Sequence, residues 1–322
     1  MLNNDIKVSI VIVSWNAKKY LTQCIESIDK QIEKIKAEVI VVDNNSNDGS
    51  ADAVEMKFPR VKIIRCNENY GFAKANNIGI GISRGDFICL INSDVLLRQG
   101  CVSRLLEYME SHADIGILGP RTLNADGTLQ KSCFSLPSIW NSLCRVSALD
   151  SVFPWSRIFG RRLMTYWAHN EIRNVEALNG CFLLVRRTAL EEVGLLDELF
   201  FMYGEDLDWC KRFGDCGWGV VYFPEAEAVH FGGASSSNAP LRFFIEMNRA
   251  DLQYWRKHKG IIGEGICLMM LVLHHSFRVA GYSILSIFIT SMREVSSVKL
   301  KNSCQCLRWL FSREIFAGVS AK

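Results

Sequence analysis

Short unbroken apolar runs alternate with stretches of helical spacing from residue 8 to residue 92. The run 8–13, Val-Ser-Ile-Val-Ile-Val, has the length of a buried strand and is too short for the core of an export signal. Residues 17–30 place Tyr20, Leu21, Cys24, Ile25 and Ile28 on one helical face, and 38–43 is a second β-branched run, which gives a βαβ opening. The polar string 44–50 reads as a turn, with Ser50 as N-cap of a helix over 51–57. A strand over 61–65, a helix over 71–82 and a strand over 87–92 follow. Buried strands separated by helices predict a mainly parallel α/β sheet whose ligand sits at the carboxyl ends of the strands.

Further along, the pattern is less even. Residues 114–120 read as a strand and 121–130 as a hairpin turning at Ala125-Asp126-Gly127-Thr128. Over 131–173 the aromatic residues Phe134, Trp140, Phe153, Trp155, Tyr166 and Trp167 are expected in packed core, with contact to an acceptor as the alternative. Arg157, Arg161 and Arg162 suit either a solvated loop or a lipid diphosphate. Residues 261–290 are strongly apolar but interrupted by Glu264, His274, His275 and Arg278, and a charge near the middle of a span is costly. Both flanks are basic, which opposes a single span. Interfacial helices on an anionic membrane surface are expected, with a true span, a soluble helical cap or a homodimer surface as alternatives.

Composition narrows the function classes. With 322 residues, 49% hydrophobic and 22% charged, the chain can bury a large core. A net charge of +3 gives no case for nucleic acid. The 12 cysteines are scattered with no Cys-x-x-Cys pair, so zinc or disulfide frameworks are not expected and a reducing cytoplasm fits.

Polar residues collect where the strands should end: Ser14-Trp15-Asn16, Asp43-Asn44-Asn45 and Asn92-Ser93-Asp94. A glycine fingerprint after the first strand is lacking, as is a Walker sequence, which disfavours nicotinamide, flavin and P-loop chemistry. A mononucleotide pocket remains, with Asp43 accepting hydrogen bonds from a base or ribose and Trp15 or Phe72 offering apolar surface. Downstream, Glu205-Asp206-Leu207-Asp208 follows Tyr203-Gly204. In a helix starting there, Glu205 and Asp208 share a face and Asp206 points elsewhere, so the carboxylates meet different surroundings.

The ordered set 11–16, 41–50, Asn69-Tyr70-Gly71-Phe72 through Gly79, Asn92-Ser93-Asp94, 179–187 and 194–206 resembles the family-two inverting glycosyltransferases of the GT-A type, in particular the bacterial rhamnosyltransferase branch. The resemblance covers roughly residues 7–260. It implies a nucleotide-sugar-binding, Rossmann-like mixed sheet flanked by helices, with a C-terminal helical membrane-associating segment. The expected domains are 1–240, with a nucleotide-binding half over about 1–97 and an acceptor half over 98–240, and a helical region over 241–322. By the same resemblance Ser14, Trp15, Asn16, Asp43 and Asn45 line the nucleoside pocket, and Gly71, Phe72, Asn76 and Asn77 pass the ribose and diphosphate. Asn92, Ser93 and Asp94 take the place of the family's Asp-x-Asp element, with Asn92 a departure at its first position. Asp94 is the candidate ligand of a divalent cation, Mg2+ or Mn2+, and His230, within 229–235, is a second.

A hard cation stabilises the charge that builds on a departing diphosphate, and an imidazole ligand tilts the choice toward Mn2+. Asp206 is the expected general base on the acceptor hydroxyl. Glu205 positions the acceptor or tunes Asp206, and an exchange of these two roles stays open. One displacement inverts the anomeric centre. The expected reaction moves L-rhamnose from dTDP-β-L-rhamnose to a glycan or polyprenyl-diphosphate-linked acceptor of a bacterial surface polysaccharide, at the cytoplasmic face of the inner membrane. UDP-galactofuranose, UDP-glucose or UDP-N-acetylhexosamine are alternative donors. A sugar-nucleotide pyrophosphorylase or a non-catalytic nucleotide-sugar-binding protein is the alternative of another class.

Overall fold

The computed structural model describes residues 6–233, 239–288 and 293–312. The chain forms two compact units: Met1–Leu136, Trp167–Phe201 and Glu205–Asn238 make the first, and Pro137–Tyr166, Met202–Gly204 and Ala239–Lys322 the second. Helical residues over 139–146 and 149–152 therefore group with the C-terminal helices, although they lie in the sequence stretch 98–240.

In the first unit, β1 (Val8–Ser14), α1 (Lys18–Ile32), β2 (Ala37–Asp43), α2 (Ser50–Lys57), β3 (Lys62–Arg65), α3 (Gly71–Ile82) and β4 (Phe87–Asn92) fall within two residues of their expected bounds. The reason is burial on both faces: β1, β2 and β4 are apolar apart from Ser9, Glu38 and their last residues, and lie almost wholly out of water. The expected cap is one difference. Gly49, at φ 76°, precedes α2, and the Ser50 hydroxyl bonds to Asp48 instead of to a helix N–H.

Next come β5 (Val95–Leu97), α4 (Cys101–Ser111), β6 (Ile115–Leu123) and β7 (Cys133–Phe134). The second unit's α5 (Ile139–Val146) and α6 (Leu149–Val152) intervene before β8 (Arg173–Asn174), β9 (Ala177–Leu178), β10 (Phe182–Arg186), α7 (Arg187–Val193), α8 (Glu205–Asp215) and β11 (Gly219–His230). Strand order in the main sheet is β3-β2-β1-β4-β10-β6-β11-β5, with β8 on β11. The sheet is more mixed than the repeating βα pattern predicts. β3, β2, β1 and β4 are parallel, but β10 runs antiparallel between β4 and β6, and β5 and β8 run antiparallel to β11.

Register brings the polar strand ends together. Ser14 pairs with Asp43 and Val13 with Asn92, so β1, β2 and β4 finish on one rim. β10 starts at that rim, opposite Ile91, with the Asn92 N–H donating to the Cys181 carbonyl at 2.9 Å. His230 ends β11 opposite Val95, and the Phe231 N–H donates to the Asp94 carbonyl at 3.0 Å.

The second unit is completed by α9 (Pro240–Phe288) and α10 (Arg293–Leu310). Its interior is polar in places: Arg145 pairs with Asp251 at 3.2 Å and His275 Nε2 meets Asn248 Oδ1 at 3.0 Å. α9 breaks at Gly260 (φ 66°, ψ −166°). Beyond the break, Ile262, Met269, Leu273, Phe277, Ile284 and Ile287 recur at helical spacing and all are exposed. One aromatic expectation is corrected here. Trp167 is buried, but Trp140, Phe153 and Trp155 are exposed, Trp155 to 70%. Phe159 stacks on Trp140 and tilts against Phe153, whose ring meets Trp155 edge-on, and the Trp140 Nε1–H is bonded to the Ile158 carbonyl.

Candidate active site

The rim formed by β1 and β2 holds two buried polar atoms without hydrogen-bond partners among the described residues, Ser14 Oγ and Asp43 Oδ1. The other Asp43 oxygen accepts from the Ser46 N–H at 3.3 Å. A buried acceptor left unpaired costs on the order of 1–3 kcal/mol, which a ligand hydroxyl or amide would recover. Asn16 has a scaffolding job instead. At φ 49° its Oδ1 accepts from the Asn47 N–H and its own N–H donates to Ser46 Oγ, both at 2.9 Å. Asn45, at φ 64°, is exposed, and Trp15 is half-buried. Asn44, which sequence reasoning passed over, ties this rim to the next loop: it accepts from the Tyr70 N–H at 2.8 Å and donates to Asn69 Oδ1 and the Gly71 carbonyl.

At the start of α3, Gly71 has φ 80°, and a Cβ there would lie 2.2 Å from the Phe201 carbonyl oxygen, so only glycine fits. The Phe72 N–H donates to that same carbonyl at 2.6 Å. Asn77 is committed to this packing: its amide donates to the Leu196 carbonyl and Glu198 Oε1, and its oxygen accepts from the Leu196 N–H. Asn76 turns back onto the Phe72 carbonyl within the helix. These asparagines, expected along the ribose and diphosphate, bond to the loop 196–198 and within α3.

Asp94, Asn92 and His230 converge on the far side of β4. His230 Nε2 lies 3.2 Å from Asp94 Oδ1 and 3.5 Å from Asn92 Nδ2. Asn92 Oδ1 is buried without a hydrogen-bond partner among the described residues, and Ser93 is buried beside it. On the other edge of the imidazole, Nδ1 meets Gln130 Oε1 at 2.7 Å. Burial opposes charge on the His230 ring, while the neighbouring Cys181 sulfur and the Asp94 carboxylate raise its pKa, to about 10. The ring is thus favoured as imidazolium, its Nε2–H facing Asp94, and a cation bound there would take the place of that proton. A carboxylate, an imidazole nitrogen and an orphaned amide oxygen form a donor set that suits Mn2+ or Mg2+, with remaining positions open to phosphate oxygens and water. Among the described residues no group of three or more His, Cys, Asp or Glu side chains could hold a metal, so the protein alone would supply only part of such a shell.

The acidic first turn of α8 splits as its helical phase predicts. The chain reverses at Tyr203 (φ 70°) and Gly204 (φ 79°) before the helix begins. Asp208 is fully buried and paired with Arg212 at 2.9 Å, and Arg212 also caps the Val193 and Leu195 carbonyls, so this carboxylate is structural. Glu205 is buried, its Oε2 unpartnered, and burial followed by the Asp206 charge pushes its pKa well above the ordinary range. Asp206 points the other way: Oδ2 accepts from the Gly180 N–H at 2.9 Å, and Oδ1 from the Leu207 N–H at 2.8 Å. Burial also raises its pKa, with those N–H donors working against the rise. Gly180 permits the approach, since a Cβ there would sit 3.3 Å from Asp206 Cβ and 3.6 Å from the Phe72 ring. Cys181, the next residue, accepts from Asn92. Asp206 is therefore joined through Gly180 and Cys181 to the strand end that carries Asn92 and Asp94. Gly180 and Gln130 were not singled out as site residues from sequence; the run Asn179-Gly180-Cys181 before an apolar strand was the signal available for the first.

Residues 9–194 match the family described as Glycosyl transferase family 2. The chain is 30% identical over 246 residues to an N-acetylglucosaminyl-diphospho-decaprenol L-rhamnosyltransferase of Mycobacterium tuberculosis, covering 72% of this chain and 78% of that protein. Among solved structures, the mannosyltransferase PcManGT from Pyrobaculum calidifontis, in complex with GDP-Man and Mn2+, superposes with a TM-score of 0.55 at 14% identity, over 95% of this chain and 88% of that one. S. aureus TarS 1–349 does so with a TM-score of 0.50 at 13% identity, over 95% and 90%. These two likenesses are of fold.

Proposed function

The chain belongs to glycosyl transferase family 2, in its rhamnosyltransferase-like branch, and from that premise we propose that it is an inverting enzyme transferring L-rhamnose from dTDP-β-L-rhamnose to a polyprenyl-diphosphate-linked acceptor. The observation that carries this reading is the bonded path from the Asp206 carboxylate through Gly180 and Cys181 to Asn92, which sets a carboxylate on the same rim as Asp94 and His230. The relative's name supplies the sugar and the lipid class. Another nucleotide sugar would be handled by the same residues.

Ser14 Oγ and Asp43 Oδ1 meet the nucleoside, whose polar groups give these buried atoms partners. Asp206, held by two backbone N–H groups, takes the proton of the acceptor hydroxyl as that oxygen bonds to the anomeric carbon and the carbon–oxygen bond to the diphosphate breaks. Asp94, His230 and Asn92 would hold a divalent cation, which when bound supplies Lewis-acid neutralisation of the leaving diphosphate. Attack opposite the leaving group inverts the configuration, giving an α-L-rhamnoside. The protein works at the inner face of the bacterial membrane as a peripheral enzyme, contacting the bilayer through the exposed apolar residues of its helical unit.

A screen of purified protein with Mn2+ and dTDP-, UDP- and GDP-sugars, reading released nucleoside diphosphate, tests the donor. In the same assay Asp206→Asn should lower kcat about 10²- to 10⁴-fold with dTDP binding unchanged. Full activity in that variant would remove Asp206 from its role.

A further inference from the structure

Gln130 Oε1 is only the first step outward from His230. Gln130 Nε2 donates to Asn124 Oδ1 at 2.9 Å and to the His230 carbonyl at 3.1 Å. Asn124 Nδ2 donates to Thr128 Oγ1 at 2.9 Å, and the Thr128 hydroxyl donates to Asp126 Oδ1 at 2.6 Å, beside a bond from the Thr128 N–H to the same oxygen. All lie on the hairpin that follows β6, closed by Asn124 N–H to the Thr128 carbonyl and Gln130 N–H to the Thr122 carbonyl.

The direction of every bond is forced from its ends. A carboxylate only accepts, so the Thr128 hydroxyl must donate to Asp126 and receive from Asn124. Asn124 then presents its oxygen to Gln130, and the backbone carbonyl of His230 independently demands an N–H from the same Gln130 nitrogen. Gln130 is left with its oxygen facing the ring, so His230 must carry hydrogen on Nδ1, with Nε2 the atom turned to Asp94. Bonds aligned head to tail polarise one another, and the chain ends in a charge.

We propose that the hairpin residues Asp126, Thr128, Asn124 and Gln130 form a one-directional hydrogen-bond relay that fixes the orientation of His230 and reserves its Nε2 for a cation shared with Asp94. These are positioning residues, and the inference rests on the metal reading of the preceding subsection. Partners of this kind typically change metal affinity about 10- to 100-fold when removed.

Two measurements separate the relay from the metal reading. Mn2+ alone, and Mn2+ with dTDP, is titrated into the full-length protein and free Mn2+ followed by electron paramagnetic resonance. Gln130→Leu should weaken binding about 10- to 100-fold and Gln130→Glu, which keeps an acceptor toward Nδ1–H, should restore most of it. In metal-free protein, the His230 Nδ1–H proton, assigned by its loss in His230→Gln, should give a downfield, slowly exchanging NMR signal that disappears in Gln130→Leu and persists in Gln130→Glu. Wild-type Mn2+ affinity and an intact Nδ1–H signal in a folded Gln130→Leu protein would overturn the relay. A wild type that binds no Mn2+ while the proton signal behaves as stated would overturn the metal reading and leave the relay's geometry standing. Should Gln130→Leu fail to fold, Asp126→Ala, an exposed change at the far end, replaces it: a weakened Nδ1–H signal upholds the relay and an unchanged one overturns it.

Discussion

Asp206 and Glu205 are sequence neighbours with opposite surroundings, and each makes a pH-dependent prediction. Asp206 must be ionised to accept a proton, and burial raises its pKa. The acid limb of kcat/KM should therefore fall at a pH above the ordinary aspartate value; a limb at or below that value would contradict the assignment. Glu205 acts on stability. Its folded pKa is raised, so the folded state holds the proton more tightly than the unfolded chain. The stabilisation is fully present below the unfolded pKa of about 4.3 and is lost as pH rises through the folded value. Gln at this position does not titrate, so Glu205→Gln should gain on the wild type with rising pH in paired urea melts; a flat difference would refute it. Asp94 and His230 could be singled out from sequence by the family resemblance of the motifs that hold them, and Asp206 by the acidic turn it shares with Glu205 and Asp208. Gln130 could not. A glutamine ending a hairpin has no distinctive pattern, and its function depends on a partner 100 positions away.

At the scale of elements, β1, β2 and β4 were legible because strands buried on both faces leave mostly apolar runs, and α1 because its apolar stripe is regular. The antiparallel run of β10 was not, since an apolar run has no direction until its neighbours are known. The loop 196–201, which closes on α3 through Asn77 and Gly71, was equally hidden, because asparagines that bind a ligand and asparagines that bind a loop look alike in sequence. Gly71→Ala tests this junction. A positive φ costs a non-glycine residue about 1–3 kcal/mol, and here the new Cβ also meets a carbonyl oxygen. The expected result is a loss of roughly 2 kcal/mol or more, read as a lower denaturant midpoint at unchanged slope; an unaltered midpoint would show that the loop yields freely.

The whole molecule combines a sheet unit, whose opening βα repeats were readable, with a helical unit whose C-terminal helices were expected and whose residues 137–166 were not. Residues 137–166 lack a clean period, and their exposed aromatics are the opposite of the packed core expected. Among the described residues one helix, Pro240–Ile287, is long and apolar enough to cross a membrane. Glu264 and Arg278 lie within its apolar part, and a charge at the centre of a span costs about 2.5–3.5 kcal/mol against a gain of only 0.3–0.6 per Leu, Ile, Phe or Val. That balance favours the proposed surface seat over insertion. Trp155→Ser with Ile158→Ser should reduce co-sedimentation with vesicles containing anionic lipid, while donor hydrolysis in detergent stays at the wild-type level. Unchanged co-sedimentation would exclude this patch, and resistance of the bound protein to carbonate would favour a span.

Because β10 runs against β4, the residues that meet Asp206 precede the strand instead of following it. Residues 137–166 leave the first unit after β7, while hydrogen bonds on both flanks lock where β10 begins. Residues 137–166 can thus change in length or composition without displacing Gly180 or the hairpin that holds His230.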